Sequence, residues 1–209
     1  MLLINNSSTD PYFNIALEEY LLKHTSEDIF MLYTDSPSVI VGKHQNTLAE
    51  VNIRYAIEHN IHVVRRISGG GTVYHDPGNL NFCFIVNGKE GHLVDFKKFT
   101  NPIIEVFNKL GLQVNLEGKN DLRIDGLKIS GNAEHVFKNR VLHHGTLLVS
   151  TDLQHLSFIL KVEVGKYTDN AVKSIRSKVS NINSFLKIPI TVDELKSQIV
   201  DINEALIRK

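Results

Sequence analysis

Apolar residues recur along this chain at two periods, and each period predicts a different kind of element. Phe13, Ala16, Leu17, Tyr20 and Leu21 repeat at helical spacing behind Asp10, a good N-cap, and Pro11, which suits the first helical turn; a helix is expected over 11–23. Ile29 to Thr34 and Ser38 to Gly42 read as strands parted by the Asp35-Ser36-Pro37 turn, and a second helix is expected across Ile53 to His59. The apolar-rich run Ile61 to Ile67 and the β-type run after Thr72 flank a glycine turn. In Asn79 to Val86 the period is two: Leu80, Phe82, Phe84 and Val86 share one face, with Asn79, Asn81, Cys83 and Ile85 on the other. A helix ending at Leu110 is stopped by Gly111. Residues 112–150 are mainly β. Thr191-Val192-Asp193-Glu194 is a capping box, opening a last helix with Leu195, Ile199, Ile202 and Leu206 on one side. Runs of strands with helices between them predict an α+β fold with a central mixed sheet. No repeat or linker divides the chain, so one domain over 1–209 is expected.

Composition narrows the function classes. With 209 residues, 42% hydrophobic and 22% charged, the chain is an ordinary globular one. Lys+Arg and Asp+Glu are both 23, and this balance weighs against nucleic acid as the principal ligand. The single cysteine allows no intramolecular disulfide. Met1-Leu2-Leu3-Ile4 is too short for a signal sequence and no apolar run spans a bilayer, so a cytoplasmic location without membrane attachment is expected. The ten histidines are scattered, with no HExxH.

Candidate chemistry begins at Arg65-Arg66-Ile67-Ser68-Gly69-Gly70-Gly71-Thr72-Val73-Tyr74-His75-Asp76. Three successive glycines permit positive φ and bare a run of amide N–H groups, an anion-binding nest to which Arg66 can add a bidentate clamp. The plainer alternative is a flexible turn between two strands. Asp125-Gly126 is a favoured hairpin loop. It would set Ile124 against Leu127, Arg123 against Lys128, Leu122 against Ile129 and Asp121 against Ser130. Leu122, Ile124, Leu127 and Ile129 then form an apolar face. Asp121, Arg123, Lys128 and Ser130 form a polar one, with Lys128 diagonal to Asp121. A merely solvated charged face is the alternative. Gly118 and Gly131 at the hairpin ends imply a close backbone approach. His143 and His144, adjacent in a strand, must point to opposite faces, which argues against a metal pair.

Seven blocks in order resemble the lipoate–protein ligase A family: Asp10 to Glu19, Val41 to Asn46, Arg65 to Asp76, Gly118 to Leu122, Lys128 to Ala133, His143 to Leu148, and Ser174 to Val179. The resemblance implies the biotin/lipoate ligase-like catalytic fold and a two-step reaction. Lipoate and ATP would give lipoyl-AMP, whose acyl group then passes to a lysine of a lipoyl domain, in 2-oxoacid dehydrogenase E2 subunits or the glycine cleavage H protein. It implies Lys128 as the catalytic residue, at the α-phosphate and the carboxyl oxygen. ATP or the adenylate would lie against Arg66, Gly71, Thr72, Val73, Tyr74, Asn120, Asp121 and Lys128. Lipoate would lie near Tyr33, Arg66, Ser68, Gly69, Gly70, His75, Lys128, His144 and Gly145. Asp121 is the expected Mg²⁺ ligand. Members of the family often carry a smaller C-terminal accessory domain, for which this chain has no room. A separate polypeptide supplying it, a truncation, or a partial reaction are the three readings this leaves.

Three rivals remain. A lipoyl or octanoyl transferase of the same superfold needs a nucleophilic cysteine, and Cys83 sits in an apolar strand where a buried structural thiol is expected. A biotin ligase would carry a Gly-Arg-Gly-Arg pattern, absent here. A lipoate-binding subunit without independent activity is the third. Neither a P-loop nor GxGxxG is present at the glycine run.

Overall fold

The long alternating runs pair with one another, while the short strands around the glycine turn assemble apart. The computed structural model describes residues 1–88, 93–160 and 169–202. Its strands are β1 (Leu2–Asn5), β2 (Ile29–Tyr33), β3 (Ser38–Val41), β4 (His62–Arg65), β5 (Val73–His75), β6 (Asn79–Asn87), β7 (Asn115–Glu117), β8 (Asp121–Ile124), β9 (Leu127–Phe137) and β10 (Arg140–Leu148). Its helices are α1 (Pro11–His24), α2 (Thr47–Glu50), α3 (Ile53–Glu58), α4 (Phe96–Lys109), α5 (Leu153–Ile159) and α6 (Val192–Ile202). A seven-stranded sheet runs β1-β2-β6-β10-β9-β8-β7, and a three-stranded sheet runs β4-β3-β5. β1 lies parallel to β2 and β4 parallel to β3, the other pairs being antiparallel, so both sheets are mixed.

The alternation of β6 assigns its two faces as expected. Phe82 and Phe84 pack with Ile103, Phe107, Leu195 and Ile199 beneath α4 and α6. Cys83 and Ile85 pack on the α1 side with Leu22 and Met31. A separate cluster of Val39, Val41, Ala56, Tyr74 and Ile159 joins the small sheet to α3 and α5. The capping box forms: Thr191 Oγ1 accepts from the Glu194 N–H at 3.1 Å, and Glu194 Oε2 accepts from the Thr191 N–H at 2.6 Å. Leu195 and Ile199 are fully buried behind it, whereas Leu206 lies outside the described residues.

Four features depart from the sequence reading. The run Met1–Ile4 supplies an edge strand, β1, because a neighbour in a sheet needs far fewer residues than a leader does. The short helices α2 and α5 were not foreseen. The inward face of α1 is not the one its aromatics suggested: Phe13 and Tyr20 are exposed, and Asn14, Ile15, Glu18, Leu21 and Leu22 are buried. Buried Asn14 and Glu18 are tolerated there because both are hydrogen-bonded; Asn14 Nδ2 donates to Asp35 Oδ1 at 2.7 Å.

The fourth is the hairpin. Asp125 (φ +50°) and Gly126 (φ +76°) take the paired positive dihedrals that the tight turn needs, and Ile124↔Leu127 and Arg123↔Lys128 pair as expected. A β-bulge then shifts the register, giving Leu122↔Ser130 and Asp121↔Gly131 in place of Leu122 with Ile129 and Asp121 with Ser130. Nothing local in the turn encodes that extra residue.

Candidate functional site

Two neighbouring cavities, of about 700 and about 650 Å³, open where the two sheets meet. The first runs from a buried end at Tyr33, Ile40, His75, Asn81 and His144 to a charged end at Asp121, Arg123 and Lys128. The second has an apolar floor of Val73, Leu148, Leu153, Leu156 and Leu160. Lys128, Gly131, Thr72, Val73 and Thr146 line both. The glycine loop and Lys128 therefore border a shared junction, although they belong to different sheets.

Lys128 is held from three directions. Its N–H donates to the Lys178 carbonyl at 2.9 Å, and its own carbonyl accepts from Ser180 N–H at 3.0 Å, so the returning chain clamps its backbone. Its ammonium pairs with Asp121 Oδ1 at 2.8 Å, the diagonal contact expected across the hairpin, which forms despite the bulge. A Cβ at Gly131 would sit 3.0 Å from Lys128 Nζ, so the close approach implied by that glycine is made by the lysine itself. Gly118 answers a different need, a turn at φ +63°. The second oxygen of Asp121 takes Arg123 Nη2 at 2.7 Å. Among the described residues no group of three or more His, Cys, Asp or Glu forms a metal cage. Both oxygens of Asp121 are ion-paired, yet each keeps a further lone pair, which fits Mg²⁺, a hard cation that keeps waters and leans on substrate phosphates for its other ligands.

The glycine loop is shaped mainly by its own neighbours. Arg66 is buried, and its guanidinium donates to Ser68 Oγ (2.9 Å) and to the carbonyls of Ile40 (3.0 Å), Gly69 (2.6 Å) and Gly71 (2.7 Å). Most of the donors expected to clamp a ligand thus hold the loop closed, and burial lowers the Arg66 pKa to about 10. Only Gly70 takes a positive φ, +90°. The Thr72 N–H, one of the expected anion donors, is met by Ser174 Oγ at 2.9 Å. Gln45 joins this corner: its amide donates to Ser174 Oγ (2.9 Å), while its oxygen accepts from Gly42 N–H and Thr72 Oγ1. Gln45 and Ser174 lie in the quoted sequence blocks but were given no role.

His143 and His144 point to opposite faces, as strand geometry requires. His144 Nδ1 lies 2.7 Å from Glu18 Oε2, and its Nε2 lies 2.7 Å from Ser68 Oγ. Tyr33 donates its hydroxyl to the other oxygen of Glu18 at 3.0 Å. Burial opposes the charge on Glu18, but His144, Tyr33 and Cys83 outweigh it and keep this carboxyl below its ordinary value. Ser68, His144 and Glu18 have the bonding order of a serine triad, yet Ser68 is fully buried and takes the Arg66 N–H, so the trio braces the cavity end. His75 Nδ1 pairs with Asp35 at 2.7 Å, and its buried Nε2 has no protein partner. Burial pushes the Cys83 thiol well above its ordinary value, and Cys83 lines neither cavity, as suits a structural thiol. Tyr33, Arg66, Gly70, Gly71, His75, His144 and Gly145 all line the first cavity, and Thr72 and Val73 line both. Tyr74 lines the second cavity and Asn120 the first, while Ser68 and Gly69 stand just behind the lining. Glu18, Asp35 and Asn14 were missed; the only signal was two polar residues four apart on a helix that otherwise looked amphipathic.

The model of the lipoyl protein ligase A/B catalytic domain matches residues 10–202. Lipoate–protein ligase 1 of Staphylococcus aureus is 48% identical over 198 residues, covering 94% of this chain and 60% of that protein. The chain thus spans less than two thirds of that relative. A crystal structure of lipoate–protein ligase A bound with ATP superposes with a TM-score of 0.82 at 26% identity, covering 99% of this chain and 84% of the other. A bipartite lipoate protein ligase from Thermoplasma acidophilum, described with its E2 lipoyl domain, gives 0.83 at 28% identity, covering 99% and 83%.

Proposed function

Because this chain belongs to the lipoyl protein ligase A/B catalytic-domain family, we propose that it activates lipoate with ATP and passes the lipoyl group to a lysine of a lipoyl domain. The observation that carries this reading is the amine of Lys128 at the wall shared by two cavities, one reaching back to buried Tyr33, His75 and His144, the other floored by Val73, Leu148, Leu153 and Leu156. The first suits an acyl chain whose carboxylate stops at Lys128. The second suits the adenine and ribose, against Thr72, Val73 and Tyr74, where β5 is an edge strand with backbone groups to offer.

In the first step a carboxylate oxygen attacks the α-phosphorus; an O–P bond forms, and the bond to pyrophosphate breaks. Two anions must meet, and Lys128 places a positive charge where their repulsion is greatest. Asp121 orients that amine, and Arg123 keeps Asp121 from drifting. Asp121 would hold Mg²⁺, which would supply charge neutralisation at the phosphates. Arg66 acts mainly by holding Gly69 and Gly71, so that the loop keeps its shape beside the acyl–phosphate junction. In the second step the acceptor amine attacks the acyl carbon, a C–N bond forms, AMP departs and the amine loses a proton. An acyl chain seated at the buried end of the first cavity would limit access of water to the mixed anhydride. The lipoyl domain of an E2 subunit or of the H protein is the proposed acceptor. A lone unpaired cysteine suits a reducing compartment, and the proposed setting is the cytoplasm.

The deciding experiment incubates the chain with ATP, Mg²⁺ and lipoate, then seeks lipoyl-AMP by mass spectrometry. Its formation is the expected result. No adduct under conditions where lipoate still binds would defeat the activation step.

A further inference from the structure

His143 lies behind the cavity wall and lines neither cavity. Its side chain is fully buried among Phe82, Phe96 and Phe99, whose ring centroids lie 6.0, 5.5 and 5.0 Å from its own. One ring nitrogen, Nδ1, faces Glu134 Oε1 at 2.8 Å; the other, Nε2, faces Asn132 Oδ1 at 3.3 Å. We propose that His143 and Glu134 form a positioning pair that shares one proton and, by fixing Asn132, sets the Asn120–Asp121 wall beside Lys128.

Proton counting carries the first half. Asn132 Nδ2 donates to the Asn120 carbonyl at 3.0 Å. A carbonyl only accepts, so the amide cannot be turned round, and Oδ1 must face His143. Nε2 must therefore carry a hydrogen. Glu134 Oε2 is occupied as an acceptor from Asp95 N–H at 3.2 Å. That leaves one further proton between Oε1 and Nδ1, either as a carboxylic acid against a neutral ring or as a carboxylate against an imidazolium. Both forms are neutral overall, which is the condition for burying the pair cheaply. Burial pushes the His143 pKa down. Among the described residues the other charged groups acting on this ring are His144, from the opposite face of β10, and Asp95, at the start of α4.

Geometry carries the second half. Asn132 N–H and Nδ2 both donate to the Asn120 carbonyl, and Asn120 Nδ2 donates back to the Asn132 carbonyl. Asn120 directly precedes Asp121, the partner of Lys128. On the other side Asn132 Oδ1 is so close to β10 that a Cβ at Gly145 would lie 2.2 Å from it. The amide has no slack. If the shared proton leaves at high pH, Nδ1–H turns to the Glu134 carboxylate and a bare Nε2 opposes Oδ1. Two acceptors then face each other, and Asn132 must release Asn120.

The test has a part independent of catalysis and a part that rests on the proposed adenylation. Ring ¹⁵N spectra of the intact chain near neutral pH should show His143 Nε2 protonated; an unprotonated Nε2 would overturn the pair. Glu134→Gln supplies a permanent N–H to Nδ1 while its oxygen still accepts from Asp95. The wild-type KM for ATP should rise about fivefold between about pH 7 and about pH 9.5, and that rise should vanish in Glu134→Gln; equal slopes in the two proteins refute the shared proton. His143→Leu, accommodated by the surrounding phenylalanines, should raise the KM for ATP about tenfold with kcat much less affected. Unchanged KM in a folded His143→Leu protein refutes the positioning role. If wild type forms no lipoyl-AMP, the functional reading fails, while the ring-nitrogen spectrum still decides the protonation.

Discussion

At the scale of single residues, the site depends on charges that are already partnered. Lys128 is bound to Asp121, and Asp121 in turn to Arg123, so a substrate phosphate would join an existing network. Lys128→Ala removes the cation that faces both cavities beside Asp121, and leaves Asp121 still paired with Arg123. Loss of a group that stabilises developing charge lowers rates by about 10²–10³, and ATP–pyrophosphate exchange driven by lipoate should fall by that order. Exchange at the wild-type rate would remove Lys128 from the chemistry. Arg66 shows how one residue can carry two tasks. A buried guanidinium beside glycines suggests an anion clamp, and Arg66 does line the first cavity, while its hydrogen bonds go to the carbonyl of Ile40 in β3 and to those of Gly69 and Gly71 in its own loop.

At the scale of elements, the glycine loop is held by contacts from outside it. A Cβ at Gly42 would lie 2.1 Å from the Gly70 carbonyl oxygen, a backbone atom that cannot move without the loop. Gly42→Ala should therefore cost at least about 1–3 kcal/mol and depress adenylate formation together with thermal stability. Gly69 gives the contrast: no atom lies within 4 Å of a Cβ built there. Gly69→Ala should keep the melting temperature close to wild type, because the added methyl meets no protein atom; calorimetry on both variants checks the pair. A drop in melting temperature for Gly69→Ala as large as that for Gly42→Ala would contradict this account. The hairpin teaches a similar lesson. Asp125-Gly126 fixes the turn, but the bulge between Leu122 and Arg123 decides which side chain Asp121 meets.

At the scale of the whole molecule, the large sheet is stabilised chiefly by the face it presents to α4 and α6. Leu195 and Ile199 have no exposed surface and join α6 to Phe82, Ile103 and Phe107. Leu195→Ala should destabilise the chain by about 2–5 kcal/mol, read as a lowered denaturant midpoint, while lipoate affinity of the folded fraction is retained since α6 is remote from both cavities. Little loss of stability would mean that α6 is not part of the cooperative unit. The sequence by itself determined the elements whose signals are local: the Asp10-Pro11 helix start, the period-two strand Asn79–Val86, the Gly111 stop, the Thr191–Glu194 capping box and the Asp125-Gly126 turn. It also determined the opposite facing of His143 and His144, since that follows from strand geometry alone. Only the tertiary structure decided which face of α1 turns inward, because the partners that make Asn14 and Glu18 burial tolerable come from β2, β10 and the loop at Asp35. Likewise only the packing of two separate sheets set Lys128 against a glycine loop some sixty residues earlier. No local period encodes a contact of that separation; it exists because both sheets must bury their apolar faces, and the seam where they meet is where the cavities open.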